Sequence, residues 1–333
     1  MIERPQHEEY RFYGALSKLC LDFVAEKRAM GLSFNIESRK MREFSRFSTN
    51  FRIPANTLTE EVVKQWIELR PGETSNNRYK RFSLIKNFAE YMQRLGHTAY
   101  IPSVDEIGKH RREFVPYIFT HDEIRRFFLS VDAMKLSTPS RAPRRHLIMP
   151  VLFRVLYCCG LRVSEACCLQ GSDVDLKEGI LTIHDSKFGR TRYVPMSNEL
   201  ADVCRDYAQT RHISKQGTDW FFAAPDGGRY SENTIYRTFR ELLRESEISH
   251  LGRGKGPRLH DFRHTFCVHC LQKWVKEGAE LTTVLPRLTA YLGHTNFQAT
   301  EQYLRLTAEV YPEITNLMQD KYGCLIPKVG GSK

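Results

Sequence analysis

Apolar residues recur along this chain at the 3.6-residue spacing of an α-helix, in short runs that glycines cut. Residues 13–30, 36–49, 58–69 and 76–95 each carry such a run, with Gly31 closing the first and Gly96 the last. Thr59-Glu60-Glu61 opens the third, where a hydroxyl and two carboxylates suit the free N–H groups of a helix start. Segments this short bury their apolar sides only against one another. The expectation for residues 1–100 is therefore a helical domain, with Arg78, Lys80, Arg81 and Lys86 on the polar side of its last helix. Such a face is ordinarily just solvated; in a basic unit it can also lie along phosphates.

Residues 101–117 carry two prolines, the basic run Lys109-His110-Arg111-Arg112 and no period, and read as a linker whose Arg111 and Arg112 can touch the phosphates of a polyanion. The second domain, 118–333, opens with Thr120-His121-Asp122-Glu123, the pattern of a capping box ahead of a helix at 122–131. Helical text runs from 146 to 159, stops at Gly160 and restarts at Ser164-Glu165. Residues 179–184 and 191–195 alternate as strands about a turn at 185–190, and a further short strand is expected at 220–223. Helices resume at 231–245, 259–276, 283–292, 296–307 and 308–321. The fold class is mainly α, a helical domain followed by an α-rich one with a small hairpin or sheet.

With 50 Lys and Arg against 39 Asp and Glu, the chain carries a formal charge of +11, spread over both parts and suited to a polyanion. Among nine cysteines, the pairs Cys158-Cys159 and Cys167-Cys168 lie in apolar helical text and read as buried, reduced thiols. Cys267-Val268-His269-Cys270 has no second CxxC to complete a zinc site. No signal peptide or membrane span is apparent, so a cytoplasmic protein is expected.

Three stretches carry chemistry. In Leu259-His260-Asp261-Phe262-Arg263, His260 and Arg263 share a face within a helix's first turn, where free N–H groups already favour an anion. The HxxR pattern arises often by chance and is weak alone. In Gly160-Leu161-Arg162-Val163-Ser164-Glu165, a guanidinium at the mouth of an apolar region needs an anionic partner, and Glu165 can steady it while its fork faces a phosphate. In Gly293-His294-Thr295-Asn296, a glycine stop and an Asn N-cap break the helix between His294 and Tyr303. An unbroken helix would set those two on opposite faces; the break lets the fold bring them together.

In this order, GLRVSEAC, the turn lysine of HDSKFGRTRYVPM, LHDFRHTF, LGHTNFQAT and Tyr303 resemble the tyrosine recombinase (integrase) family over about residues 118–315, roughly the second domain. The resemblance implies a core-binding domain at 1–100 and a catalytic set of Arg162, Lys187, His260, Arg263, His294 and Tyr303, with Glu165 in support. It implies a site-specific DNA recombinase, encoded by a bacterium, phage or mobile element, that works without metal or ATP through a 3′-phosphotyrosine. Its partners would be double-stranded recombination sites and further copies of itself in a tetramer on DNA, with residues 310–318 passed to a neighbour or covering their own core. Two departures stand out: the text at 276–280 lengthens the Arg263–His294 spacing, and the turn lacks the usual Gly before its lysine, leaving Arg190 as the alternative to Lys187 and otherwise as a DNA contact. A type IB topoisomerase and a non-enzymatic DNA-binding protein are the rival readings. The layout of a compact helical domain leading into the catalytic one speaks against the first, and the intact polar set against the second.

Overall fold

The computed structural model describes residues 11–108, 115–135, 144–184, 191–213, 219–250, 252 and 256–293. The chain divides into two compact units, Met1–Phe114 and Val115–Lys333.

The first unit holds α1 (Ser17–Ala29), α2 (Asn35–Ser48), α3 (Glu60–Ile67) and α4 (Ser75–Arg94). Each lies within a residue or so of an apolar run except α1 and α3, which are shorter. The Thr74 hydroxyl caps α4 by accepting the Asn77 N–H at 3.3 Å. Phe23, Phe44, Trp66 and Phe88 meet in the centre, Phe23 edge-on to Phe88 at 5.4 Å and Phe44 edge-on to Trp66 at 5.2 Å. Full burial of each such ring contributes ~1.5–3 kcal/mol. Helical order does not stop at residue 100. Ala99 bridges Leu58, and a 3₁₀ turn at Val104–Ile107, capped by Ser103, packs back on the same core.

The second unit begins as expected, Thr120 and Glu123 forming a reciprocal capping box at the start of α5 (His121–Asp132). Then come α6 (Arg145–Cys158), α7 (Val163–Cys167) and a three-stranded antiparallel sheet of β1 (Val174–Asp175), β2 (Ile180–His184) and β3 (Thr191–Pro195). The hairpin β2–β3 stands where alternation put it; β1, only two residues long, was too short to show a period. Next are α8 (Asn198–Arg211), α9 (Glu232–Glu245), α10 (Asp261–Lys276) and α11 (Leu281–Leu292). Helix α8 is a correction, absent from the sequence reading. Its buried stripe of Leu200, Ala201, Cys204, Tyr207 and Ala208 is built largely from small residues that give a weak apolar signal. The strand expected at 220–223 is corrected to two isolated bridges, Gln170 with Trp220 and Ala223 with Arg229.

Phe262, in the first turn of α10, stands at 5.1, 5.2 and 5.4 Å from the rings of Phe127, Phe119 and Phe239. That aromatic cluster fixes the residues on either side of it, His260 and Arg263, relative to the core. Cys159 and Cys167 are buried, but Cys158 and Cys168 are exposed, which corrects the reading of both pairs as buried; all eight described cysteines are free thiols. Among the described residues, no helix is long and apolar enough to cross a membrane, and no three His, Cys, Asp or Glu side chains group as a metal site needs.

Candidate active site

Glu165 organises the site. Its carboxylate is almost wholly buried, and burial alone would push its pKa up. Hydrogen bonds and charge from Arg192, the backbone N–H of Arg162 and the charge of Arg263 outweigh that and hold the carboxyl below its ordinary range. Oε1 accepts from Arg162 Nη1 at 2.7 Å and from Arg192 Nη1 at 3.0 Å; Oε2 accepts from Arg162 N and Arg192 Nη2, both at 2.8 Å. Arg263 Nη1 lies 3.9 Å from Oε2. Three guanidiniums therefore surround one carboxylate.

Each arrives by a different route. Arg162 follows Gly160, whose positive φ of 58° turns the chain out of α6, and it stands at the N-cap of α7. A Cβ at Gly160 would stand 2.5 Å from the Phe266 ring, so this turn admits only glycine without a shift. Arg263, 1% exposed, projects from α10 and donates to Gly160 O at 2.8 Å and Leu292 O at 2.6 Å. Those carbonyls end the turn before Arg162 and the helix before His294, so one guanidinium fastens both chain ends. Arg192 shares the inward face of β3 with Val194, two residues on, and its Nε donates to Tyr291 O at 3.0 Å. Of the three, Arg162 is the open one, its side chain 37% exposed against 13% for Arg192.

His260 stands at the N-cap position of α10 and is exposed, its ring edge-on to His264 at 4.9 Å. The protein crowded about its inner side, then the charges of Arg263, Arg162 and Arg258, lower its pKa to about 4 against a small opposing effect of Glu165. Water at the exposed edge screens part of this, and the direction is what matters: the imidazole is neutral at pH 7 and can accept a proton. Arg162 and His260 line one open cleft of about 760 Å³ with Arg258, Asn233, Tyr236 and Arg240, the last three from the polar side of α9.

The structure thus brings together Arg162, Glu165, His260 and Arg263. Lys187, Arg190, His294 and Tyr303 lie outside the described residues, as do Arg111 and Arg112. The chain stops that bracket them are in place: α11 ends at Gly293 with a positive φ of 67°, and residues 277–280 form the loop read from the lengthened spacing.

Two residues expected to face DNA need correction. Arg81 is 3% exposed; its Nε donates to Glu73 at 2.8 Å and its Nη2 to Glu68 O at 2.7 Å, with Nη1 bonded to Trp66 O. Arg78 donates to Ile67 O at 2.7 Å and to the carbonyls of Ile107 and Glu106, each at 3.3 Å. Both tie α4 to the end of α3 or the turn beyond it. Lys80 is exposed and Lys86 half-buried.

Sequence reasoning also missed two features. Arg192 was passed over for its neighbours in the turn, though its place beside Val194 on an inward face was readable from the alternation. On α2, Arg39, Arg42 and Arg46 form a stripe at helical spacing and line a groove of about 750 Å³ with Trp66 and Arg70. Arg42 and Arg46 donate to the Tyr13 hydroxyl at 3.4 and 3.2 Å, and these bonds lower its pKa to about 8.

Comparison with known proteins gives the family and the fold. The profile of the phage integrase family matches residues 118–309. The putative integrase/recombinase y4rB of Sinorhizobium fredii is 28% identical over 308 residues, covering 90% of this chain and 96% of its own. Tyrosine recombinase XerA of Thermococcus kodakarensis is 28% identical over 197 residues, 59% of this chain and 60% of its own. Among solved structures, the XerH site-specific recombinase in its post-cleavage complex with palindromic difH substrate superposes with a TM-score of 0.67 at 15% identity, covering 91% of this chain and 84% of the other. The Tn1549 transposon integrase in complex with transposon right end DNA gives 0.63 at 16%, covering 86% and 94%. These likenesses show a shared fold; with more than half its length matched by the family profile, the chain belongs to the phage integrase family.

Proposed function

We propose that this protein is a site-specific DNA recombinase that cuts and rejoins strands through a 3′-phosphotyrosine. The observation that carries the reading is the cluster at Glu165, where three guanidiniums share one carboxylate beside an open cleft. Such an excess of positive charge is stabilised by an anion with several oxygens.

The phenol of Tyr303 attacks the scissile phosphorus, forming a P–O bond to the tyrosine and breaking the bond to the 5′ oxygen. Lys187 protonates that leaving oxygen, and neutral His260 accepts the phenolic proton. Arg162, Arg263 and His294 answer the negative charge that grows on the non-bridging oxygens. The phosphodiester's free energy stays in the protein–DNA bond, so the reverse attack by a 5′-hydroxyl rejoins a strand without ATP. Exchange between two sites requires a tetramer, and residues 310–318 are the segment we assign to contacts between copies. By the family resemblance we assign the work to the cytoplasm, with the gene carried by a bacterium, phage or mobile element.

In the first unit we relocate the phosphate-facing surface from α4 to α2. Arg39, Arg46 and Arg70 are exposed there, whereas Arg78 and Arg81 are taken up by carbonyls and Glu73.

The test is a duplex carrying a 5′-bridging phosphorothiolate, whose poor nucleophilicity after release traps the covalent complex. Wild type should accumulate adduct and, on unmodified sites, joint molecules, while Tyr303→Phe binds the same DNA and gives neither. Relaxation of any plasmid without joint molecules would favour a topoisomerase; binding without adduct, a DNA-binding protein.

A further inference from the structure

We infer that Arg192 is a positioning residue for cleavage: it bonds both oxygens of Glu165 and ties that carboxylate to the end of the helix preceding His294, so that Arg162, which gives Glu165 one Nη, can turn its exposed side to the scissile phosphate. This inference rests on the recombinase reading of the site.

The geometry separates Arg192 from the other two cations. Its fork spans both oxygens of Glu165, at 3.0 and 2.8 Å, and its Nε takes Tyr291 O at 3.0 Å. With three of its N–H groups so used and little surface exposed, it is directed into the protein and not at a ligand. Arg162 gives one Nη to Glu165, is 37% exposed and lines the cleft. Arg263 gives its Nη groups to two main-chain carbonyls.

Charge makes the division consequential. Among the described residues, three cations and one carboxylate leave an excess of two positive charges. Without Arg192 the excess falls to one, and Glu165 draws more strongly on Arg162 at the moment that guanidinium should attend the phosphate. Steric detail agrees: a Cβ on Gly293 would come to 3.1 Å from both Cδ and Nη1 of Arg192. The bare backbone just before His294 is what lets the guanidinium lie against it.

The groups facing Glu165 are Arg162 from the start of α7, Arg192 from β3, Arg263 from α10 and, as a weaker influence, His260 at that helix's cap. Burial favours the protonated carboxyl, and Arg192 leads the groups that oppose it. Removing Arg192 raises the pKa of Glu165, so the acid limb of the rate profile moves to higher pH.

The experiment uses the full chain and the phosphorothiolate duplex in single turnover, with DNA affinity measured alongside. Arg192→Ala should cleave on the order of 100-fold more slowly, the scale of a small misplacement at a reacting centre, with affinity unchanged. Arg192→Lys keeps the charge but not the fork and should fall between the two. Adding Glu165→Gln to Arg192→Ala should recover about tenfold, because the carboxylate that competes for Arg162 is then gone; a simple strut would give additive losses. If Arg192→Ala does not fold, the acid limb of Arg192→Lys decides, and it must lie above that of wild type. Wild-type rates in Arg192→Ala, no recovery in the double variant, or an unmoved acid limb in Arg192→Lys would overturn the inference. Failure of wild type to form any adduct would instead sink the recombinase reading, and this inference with it.

Discussion

Each of the two units buries an arginine, and the two are treated differently. Arg81 in the first faces one carboxylate, Glu73, and the carbonyls of Trp66 and Glu68, so its charge is matched one for one. Arg263 in the second shares its carboxylate with Arg162 and Arg192 and leans on two carbonyls besides. Balanced charge makes a brace. The excess at Glu165 among the described residues is the seat we propose for an anion.

The largest effect should come from breaking the brace. Arg81→Leu strands Glu73 and should destabilise the first unit by ~3–5 kcal/mol in chemical denaturation, while Arg81→Met with Glu73→Leu should restore most of the loss. Cleavage of bound DNA by the double variant should match wild type; a large loss of cleavage would mean that Arg81 also serves the reaction. Next in size is the open member of the other cluster. Arg162→Ala should slow single-turnover cleavage by ~10²–10³, the cost of one donor to a developing anion, with the unfolding transition in place. An equal loss of stability would reduce Arg162 to a second brace.

A smaller effect belongs to α2. Arg39→Ala and Arg46→Ala should each lessen the slope of log affinity against log salt by about 0.9 if each meets one phosphate, and Arg78→Ala should leave that slope alone. The reverse result would return the DNA-facing surface to α4. Smallest is a pH effect. With its pKa near 4, His260 is neutral above that pH, so the proton-accepting role proposed for it is complete at neutrality and is lost only as pH falls towards 4. The kcat/KM profile, which reports the free enzyme, should show no limb near 6.5 that His260→Gln abolishes.

Local chemistry was legible in the sequence, and partner choice was not. Gly160 and Gly293 announced chain stops because their positive φ values suit glycine, and Thr120 with Glu123 announced a helix start because both ends of that bond lie in one short stretch. His260 and Arg263 shared a face by spacing alone. What stayed hidden depended on distant chain: the bonds from Arg78 and Arg81 run to the end of α3, and Arg192 meets Glu165 across 27 positions. A helix face of Arg and Lys reads the same whether it faces water, phosphate or a neighbouring carbonyl. Helix α8 was lost for another reason, since three of the five residues in its buried stripe are Ala or Cys, which bury well yet give a weak apolar pattern.

The excess charge at Glu165 can be tested by changing the substrate's charge. Replacing the scissile phosphate with a methylphosphonate removes one negative oxygen and with it the need for one guanidinium. The account predicts that Arg162→Ala, crippled on the natural phosphodiester, cleaves the neutral linkage nearly as well as wild type does. An equal deficit on both linkages would contradict it.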